Sequence, residues 1–285
     1  MSSDQIDEFQ SIFRRAEREP FLFESININQ VSLITDGGSD SAESLKTSLL
    51  NYFPGLQNSE TWTVHTGDSF SNVQQLLELL SDDRPDLIIT HRHLQEKSLV
   101  PQHSLGVYVD VLTQASKVPV LLLPGTASDP KSLAGKSCRE VMVVTDHISG
   151  DSRLINYGVR FCPSDGEIWL SHVEDDIVFN RYIQAFERIP EIDTELAREL
   201  LGQQLQKEAE DFIKTCAERL KEKVPELTVK SDVTRGHHLK VYQQLIKNHA
   251  IDLLITNTKD DDQLAMHGMA YSISVEMIDV PLLLL

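Results

Sequence analysis

The chain has 285 residues, with 26 Lys and Arg against 44 Asp and Glu and a formal net charge of -18. That charge repels phosphate backbones and anionic headgroups, so generic nucleic-acid or membrane-surface binding is excluded. The length suggests about two domains, each large enough to bury a core without disulfides or metal.

Three widely spaced cysteines, Cys138, Cys162 and Cys216, fit neither a disulfide framework nor a zinc site and read as reduced thiols. The N-terminus is acidic where a signal peptide would be basic. No apolar run approaches the ~20 residues of a membrane span, so a cytoplasmic protein is expected.

Taken in order, Ile6 to Glu19 has helical spacing in Ile6, Phe9, Ile12, Phe13 and Ala16. A strand is predicted at 31–36, a helix from Ser41 to Phe53, a strand at 61–66, a helix from Asn72 to Leu80 and a strand at 86–90. A helix at 107–116 and a strand at 119–123 close the first half, and 124–139 has linker composition.

The second half opens with a continuous apolar run at 141–146, as in a strand buried on both faces of a parallel sheet. A helix follows from Ser152 to Cys162, then a strand from Glu167 to Val173 and an irregular stretch. The longest helix, Thr194 to Lys223, carries Leu196, Leu200, Leu205, Ala209, Phe212, Ile213, Cys216 and Leu220 as one apolar stripe. A strand from Leu227 to Val233, a helix from His238 to Ala250, a strand at 252–256, a helix from Ser272 to Ile278 and a strand at 281–285 complete it. Such alternation builds a doubly wound parallel sheet with ligands at the carboxyl ends of its strands, here Thr145-Asp146 and Thr256-Asn257.

The two halves repeat one another. Asp86-Leu-Ile-Ile-Thr90 recurs as Asp252-Leu-Leu-Ile-Thr256, and Gly106 and Gly268 each stand thirteen positions before the proline of a Val-Pro-apolar run. Val31-Ser-Leu-Ile-Thr-Asp36 answers to Val141-Met-Val-Val-Thr-Asp146. The offset is 110 residues at Asp36/Asp146 and 166 at Asp86/Asp252, so the second copy holds about 56 extra residues. One strand and one helix fewer in the first copy would account for them. The expected architecture is α/β, two tandem domains at 1–135 and 136–285, the first truncated.

A first strand ending in Asp, the strand Leu170-Ser-His-Val173, a helix leading into Asp-Leu-Leu-Ile-Thr and a final Val-Pro strand together resemble the universal stress proteins. The resemblance covers 140–285 and about 30–124. It implies the adenine-nucleotide alpha-hydrolase-like sheet, a stress-response role and a nucleotide site. Members that bind ATP carry Gly-x2-Gly-x9-Gly-Ser/Thr after the fourth strand, a cradle of backbone N–H groups at a helix N-terminus.

Both copies depart from that pattern. In the second, Asn257 stands for the first glycine, the next is absent, Met269 follows Gly268, and Asp260, Asp261 and Asp262 crowd where phosphates would lie. In the first, no glycine precedes Gly106 in the loop from His91, and Val107 replaces the Ser/Thr. Thr35, Asp36, Gly106, Thr145, Asp146, Asn257 and Gly268 are therefore degenerate nucleotide-site positions, and ATP or AMP binding in the family's mode is not expected. The two aspartates read as helix caps or loop carboxylates in preference to ribose contacts.

His91, His93 and His103 in one loop offer an alternative, a metal-responsive binder, although their spacing matches no standard closed site. No catalytic motif is present, so no enzymatic activity is expected. The resemblance further implies pairing of the last strands. Val118, Val120, Leu122, Val280, Leu282 and Leu284 are then an interface, either within the chain as an internal pseudo-dimer or between two chains, with an unidentified protein as the further partner.

Overall fold

A computed structural model describes residues 21–96, 104–126, 131–144, 151–258, 266 and 268–285. The first half contains β1 (Gln30–Ile34), α1 (Ser39–Tyr52), a short 3-10 turn (Pro54–Leu56), β2 (Thr61–His65), α2 (Val73–Asp83), β3 (Leu87–Arg92), α3 (Val107–Ala115) and β4 (Val120–Thr126). The second contains β5 (Glu140–Val144), α4 (Ser152–Phe161), β6 (Glu167–Asp175), α5 (Asp176–Phe186), α6 (Thr194–Lys223), β7 (Thr228–Gly236), α7 (His238–Asn248), β8 (Leu253–Thr256), α8 (Gly268–Glu276) and β9 (Leu282–Leu284).

The strands form one nine-stranded sheet in the order β2-β1-β3-β4-β9-β8-β5-β6-β7. Every neighbouring pair is parallel except β4 and β9, which run antiparallel with Val120 opposite Leu284, Leu121 opposite Leu283 and Leu122 opposite Leu282. The two Val-Pro runs therefore meet at the centre, and the carboxyl ends of the two half-sheets point to opposite sides of the molecule. Val118 and Val280 flank this ladder in the apolar layer beneath it.

The continuous apolar runs follow from burial on both faces. Successive residues of a strand point to opposite sides, so Leu121, Leu123 and Leu283 enter one layer while Val120, Leu122, Leu282 and Leu284 enter the other. The first layer is covered by 21–28, α1, α4 and the C-terminal part of α6, the second by α2, α3, α7 and α8. Each layer runs unbroken across both halves. The duplicated aspartates are backbone clasps: Asp86 Oδ2 accepts from the N–H groups of Asn29 and Gln30 at 2.8 and 3.0 Å, and Asp252 Oδ2 from those of Arg139 and Glu140 at 2.9 and 3.0 Å. Each thereby ties the entry of its half's first strand to the strand beside it.

Four sequence expectations need correction. The stretch after β6 is helical: Asp175 caps α5 by accepting from the N–H groups of Ile177 and Val178. Among the described residues the first half thus has one strand and two helices fewer than the second, rather than one of each. The last helix starts at Gly268, four residues before Ser272. In α6 the buried stripe begins only at Ala209, since Leu196 and Leu200 are 51% and 55% exposed. Within 124–139, residues up to Thr126 extend β4, and Leu133 and Cys138 are core residues, with Cys138 N–H donating to the Tyr52 carbonyl at 2.7 Å. The helical pattern at Ile6 to Glu19 lies outside the described residues.

Candidate functional site

Parallel sheets expose strand ends and the following helix N-termini at one edge, where anions are ordinarily held. In the first half that edge is built from the end of β1, the residues after β3 and the start of α3. Thr35 is buried and its Oγ1 accepts from Gly37 N–H at 3.1 Å, closing a turn that leaves Asp36 exposed. Both carboxylate oxygens of Asp36 accept from Gln95 N–H at 2.9 Å.

Gln95 fills the space beyond. Its amide nitrogen donates to the carbonyls of Gly67 and Phe70 at 2.7 and 2.8 Å, and its amide oxygen accepts from the Tyr108 hydroxyl at 3.2 Å. Glu96 goes to the helix terminus: its Oε1 accepts from Val107 N–H, the first residue of α3, at 2.7 Å, and its Oε2 lies 2.8 Å from His93 Nδ1. A carboxylate of the chain itself thus occupies the position that the helix N-terminus offers to an external anion.

The turn that permits this is strained. His93 and Gln95 both have φ of +58°, a left-handed conformation costing about 1 kcal/mol for each non-glycine residue. Gly106, at φ +88°, has no such penalty, and a Cβ there would come within 2.8 Å of His93 Cα and 3.0 Å of Glu96 Oε1. The local charge is felt nearby: burial, then the Glu96 carboxylate, raise the Asp110 carboxyl above the usual range.

The three histidines diverge. His91 is buried, and burial followed by the adjacent Arg92 charge pushes its imidazole down to about 4, so it is neutral at physiological pH. His93 is held by Glu96, and His103 lies outside the described residues. Among the described residues no group of three or more His, Cys, Asp or Glu side chains is placed to hold a metal.

Arg92, between the two histidines, gave no sequence signal and is the largest fully buried side chain among the described residues, 1% exposed. Its Nε and Nη2 donate to the Ser274 carbonyl at 3.0 Å, Nη2 also to the Met277 carbonyl at 3.1 Å, and Nη1 to the Leu123 carbonyl at 3.0 Å. A cation from the first half therefore caps the carboxyl end of α8 in the second, where the helix dipole favours it. Burial lowers its guanidinium to about 10.

In the second half, Asn257 Nδ2 donates to Asp151, which also caps α4 by accepting from Leu154 N–H at 2.9 Å. Thr258 is tied to the chain end, its N–H and Oγ1 both donating to the Leu285 carbonyl at 2.8 and 2.7 Å. Thr145, Asp146 and Asp260 to Asp262 lie outside the described residues. Unlike Gly106, Gly268 has no atom of the described residues within 4 Å of where a Cβ would stand. Beside it lies a cavity of about 610 Å³ between the end of β6, the α5–α6 pair and the α7–α8 layer.

No protein-family model and no curated protein sequence matches the chain. Solved structures do. A Pseudomonas aeruginosa UCBPP-PA14 protein classed as a universal stress protein superposes with a TM-score of 0.50 at 11% identity, covering 90% of this chain and 93% of that one. A protein of unknown function from Pseudomonas aeruginosa PAO1 gives 0.50 at 10% identity, covering 90% and 92%. At such identities the likeness is one of fold: the chain has the mostly parallel α/β fold of universal stress proteins.

Proposed function

We propose that the chain is a tandem universal stress protein, with units at 1–135 and 136–285, acting in a cytoplasmic stress response through protein contacts and without enzymatic activity. Its first nucleotide-type site is filled by its own residues. The observation carrying this reading is the pair Gln95 and Glu96: one takes up Asp36, the other the N-terminus of α3. ATP would have to displace a neutral amide with three hydrogen-bond partners and bring its phosphates onto a carboxylate, which like-charge repulsion opposes. The antiparallel β4–β9 ladder supports an internal pseudo-dimer, since each last strand saturates an edge that would otherwise seek a second chain.

A second reading is an adenine-nucleotide sensor using the second half alone, favoured by the cavity beside Gly268. Equilibrium dialysis of labelled ATP and AMP against ligand-free protein, with and without magnesium, separates the two. The first reading expects no saturable binding below about 1 mM, an affinity of roughly 4 kcal/mol. Micromolar binding would overturn it. Replacing the plug, Gln95→Gly with Glu96→Gly, is expected to raise affinity at the first site if the plug is what closes it.

A further inference from the structure

Among the described residues the sheet ends at β2 and β7. The β4–β9 ladder uses the inner edges of the two halves, so a further strand can add only at one of these ends. β2 has 5 residues, whereas β7 has 9, paired to β6 from Thr228 to Gly236 without a bulge and without a proline. A long, regular edge of that kind is a template for another strand. Which backbone groups it offers follows from one bond, the donation from Thr228 N–H to the Gly166 carbonyl at 3.0 Å. Alternation along the strand then turns Thr228, Lys230, Asp232 and Thr234 toward β6 and leaves the N–H and C=O groups of Val229, Ser231 and Val233 on the outer edge.

That edge is self-complementary. Thr228-Val-Lys-Ser-Asp-Val-Thr234 reads the same in both directions about Ser231, except that Lys230 is answered by Asp232. We propose that β7 pairs antiparallel with β7 of a second copy of the chain, about a twofold axis through Ser231, so that two sheets become one. In this register Ser231 meets Ser231, Val229 meets Val233, Thr228 meets Thr234, and Lys230 of each copy faces Asp232 of the other. The outward residues fall in hydrogen-bonded pairs, so their donors and acceptors are used together. Val229 and Val233 already pack on the layer that α6 covers, and their pairing continues it. Moving the axis by one residue sets Asp232 opposite Asp232 or Lys230 opposite Lys230, which like-charge repulsion opposes. Both charges have partners in their own chain, Lys230 with Glu167 at 4.0 Å and Asp232 with His249 at 3.1 Å. The junction extends these pairs, because Glu167, Lys230 and the facing Asp232 alternate in sign. β2 is shorter and carries no charge pair to fix a register. This assignment does not depend on the reading of the plugged first site.

The test is sedimentation velocity of the intact chain from about 1 to 100 µM, where a monomer–dimer equilibrium with a Kd of about 10 µM is expected. Ser231→Pro removes an outward N–H and leaves the β6 ladder intact, and is expected to weaken the dimer at least about tenfold. Lys230→Asp alone and Asp232→Lys alone set like charges opposite one another, each with an expected weakening of about tenfold. An equal mixture of those two variants is expected to recover a heterodimer of about parent affinity, since unlike charges face each other again. A cooperative urea transition establishes that each variant is folded, and the proline variant and the charge pair each decide the matter if the other does not fold. The proposal is overturned if the chain stays monomeric at about 100 µM, if the proline variant dimerises as tightly as the parent, or if the mixed variants associate no better than either alone. Growth beyond a dimer would also overturn it, because a twofold junction closes on itself.

Discussion

At the residue scale, two adjacent side chains of β3 have opposite costs. The His91 imidazole is depressed from 6.5 to about 4 by burial. A base whose folded pKa is lowered binds fewer protons folded than unfolded between those values, so stability rises with pH across that window. Its contribution is complete above pH 6.5 and falls away as pH drops toward 4, a change of about 3 kcal/mol. Urea midpoints measured from pH 7 to 4 should therefore fall less steeply in His91→Gln than in the parent. Arg92 has carbonyl partners in both halves, and Arg92→Met leaves them unsatisfied in a dry site, with an expected loss of about 3 kcal/mol in urea unfolding. Arg92→Lys should recover only part, because a single ammonium cannot reproduce the planar fork. The buried thiols of Cys162 and Cys216, each pushed up to about 12, should resist alkylation in the native protein and label on unfolding.

At the element scale, α6 is two helices in one. In its first half Leu196 and Leu200 are exposed, while the buried residues begin at Ala209, and the helix packs on β6 and β7. Periodicity along the sequence is the same in both parts, because spacing records which residues share a face but not whether a partner lies opposite. Leu200→Ser is expected to change stability by less than about 0.5 kcal/mol and Phe212→Ala to lower it by about 3 kcal/mol, both read from denaturant midpoints. The α5 helix has a weak sequence signal for a related reason. Its buried residues, Phe179 and Ile183, are few, and much of its remaining apolar surface faces the cavity or solvent.

At the scale of the whole molecule, the two halves are joined by more than the central ladder. Tyr52 donates to the Asp252 carbonyl at 2.9 Å, Phe53 meets Phe161 edge-on at 5.7 Å, and Asn156 Nδ2 donates to the Leu22 carbonyl at 2.9 Å. With both apolar layers continuous, the halves should unfold together. Trp62 on β2 and Trp169 on β6 report on one half each, so Trp62→Phe and Trp169→Phe should give the same urea midpoint by fluorescence. Two separated transitions would disprove a single cooperative unit. Gly55 sets how closely the halves approach: a Cβ there would lie 2.4 Å from the Arg160 carbonyl oxygen, a backbone atom that cannot swing aside. Gly55→Ala is expected to cost about 2 kcal/mol of stability in the same assay.

The sequence by itself determined the alternation of strands and helices, the duplication and the apolar runs that meet at the centre, because each is a local period or a local burial signal. It also determined that the two loops ahead of Gly106 and Gly268 hold no earlier glycine, which can be read one residue at a time. Only the tertiary structure decided what the loop after β3 holds in their place: contacts of Gln95 to Asp36 and of Glu96 to the start of α3. Gln95 and Glu96 belong to no sequence motif, and Arg92 stands between two histidines of a more conspicuous type. Their roles arise from a left-handed turn after β3 and from the meeting of segments about 180 residues apart, as in the Arg92 contact with Ser274. The repeated aspartates show the same division: their recurrence is legible, but that they clasp backbone rather than ligand depends on which strand entry lies beside them.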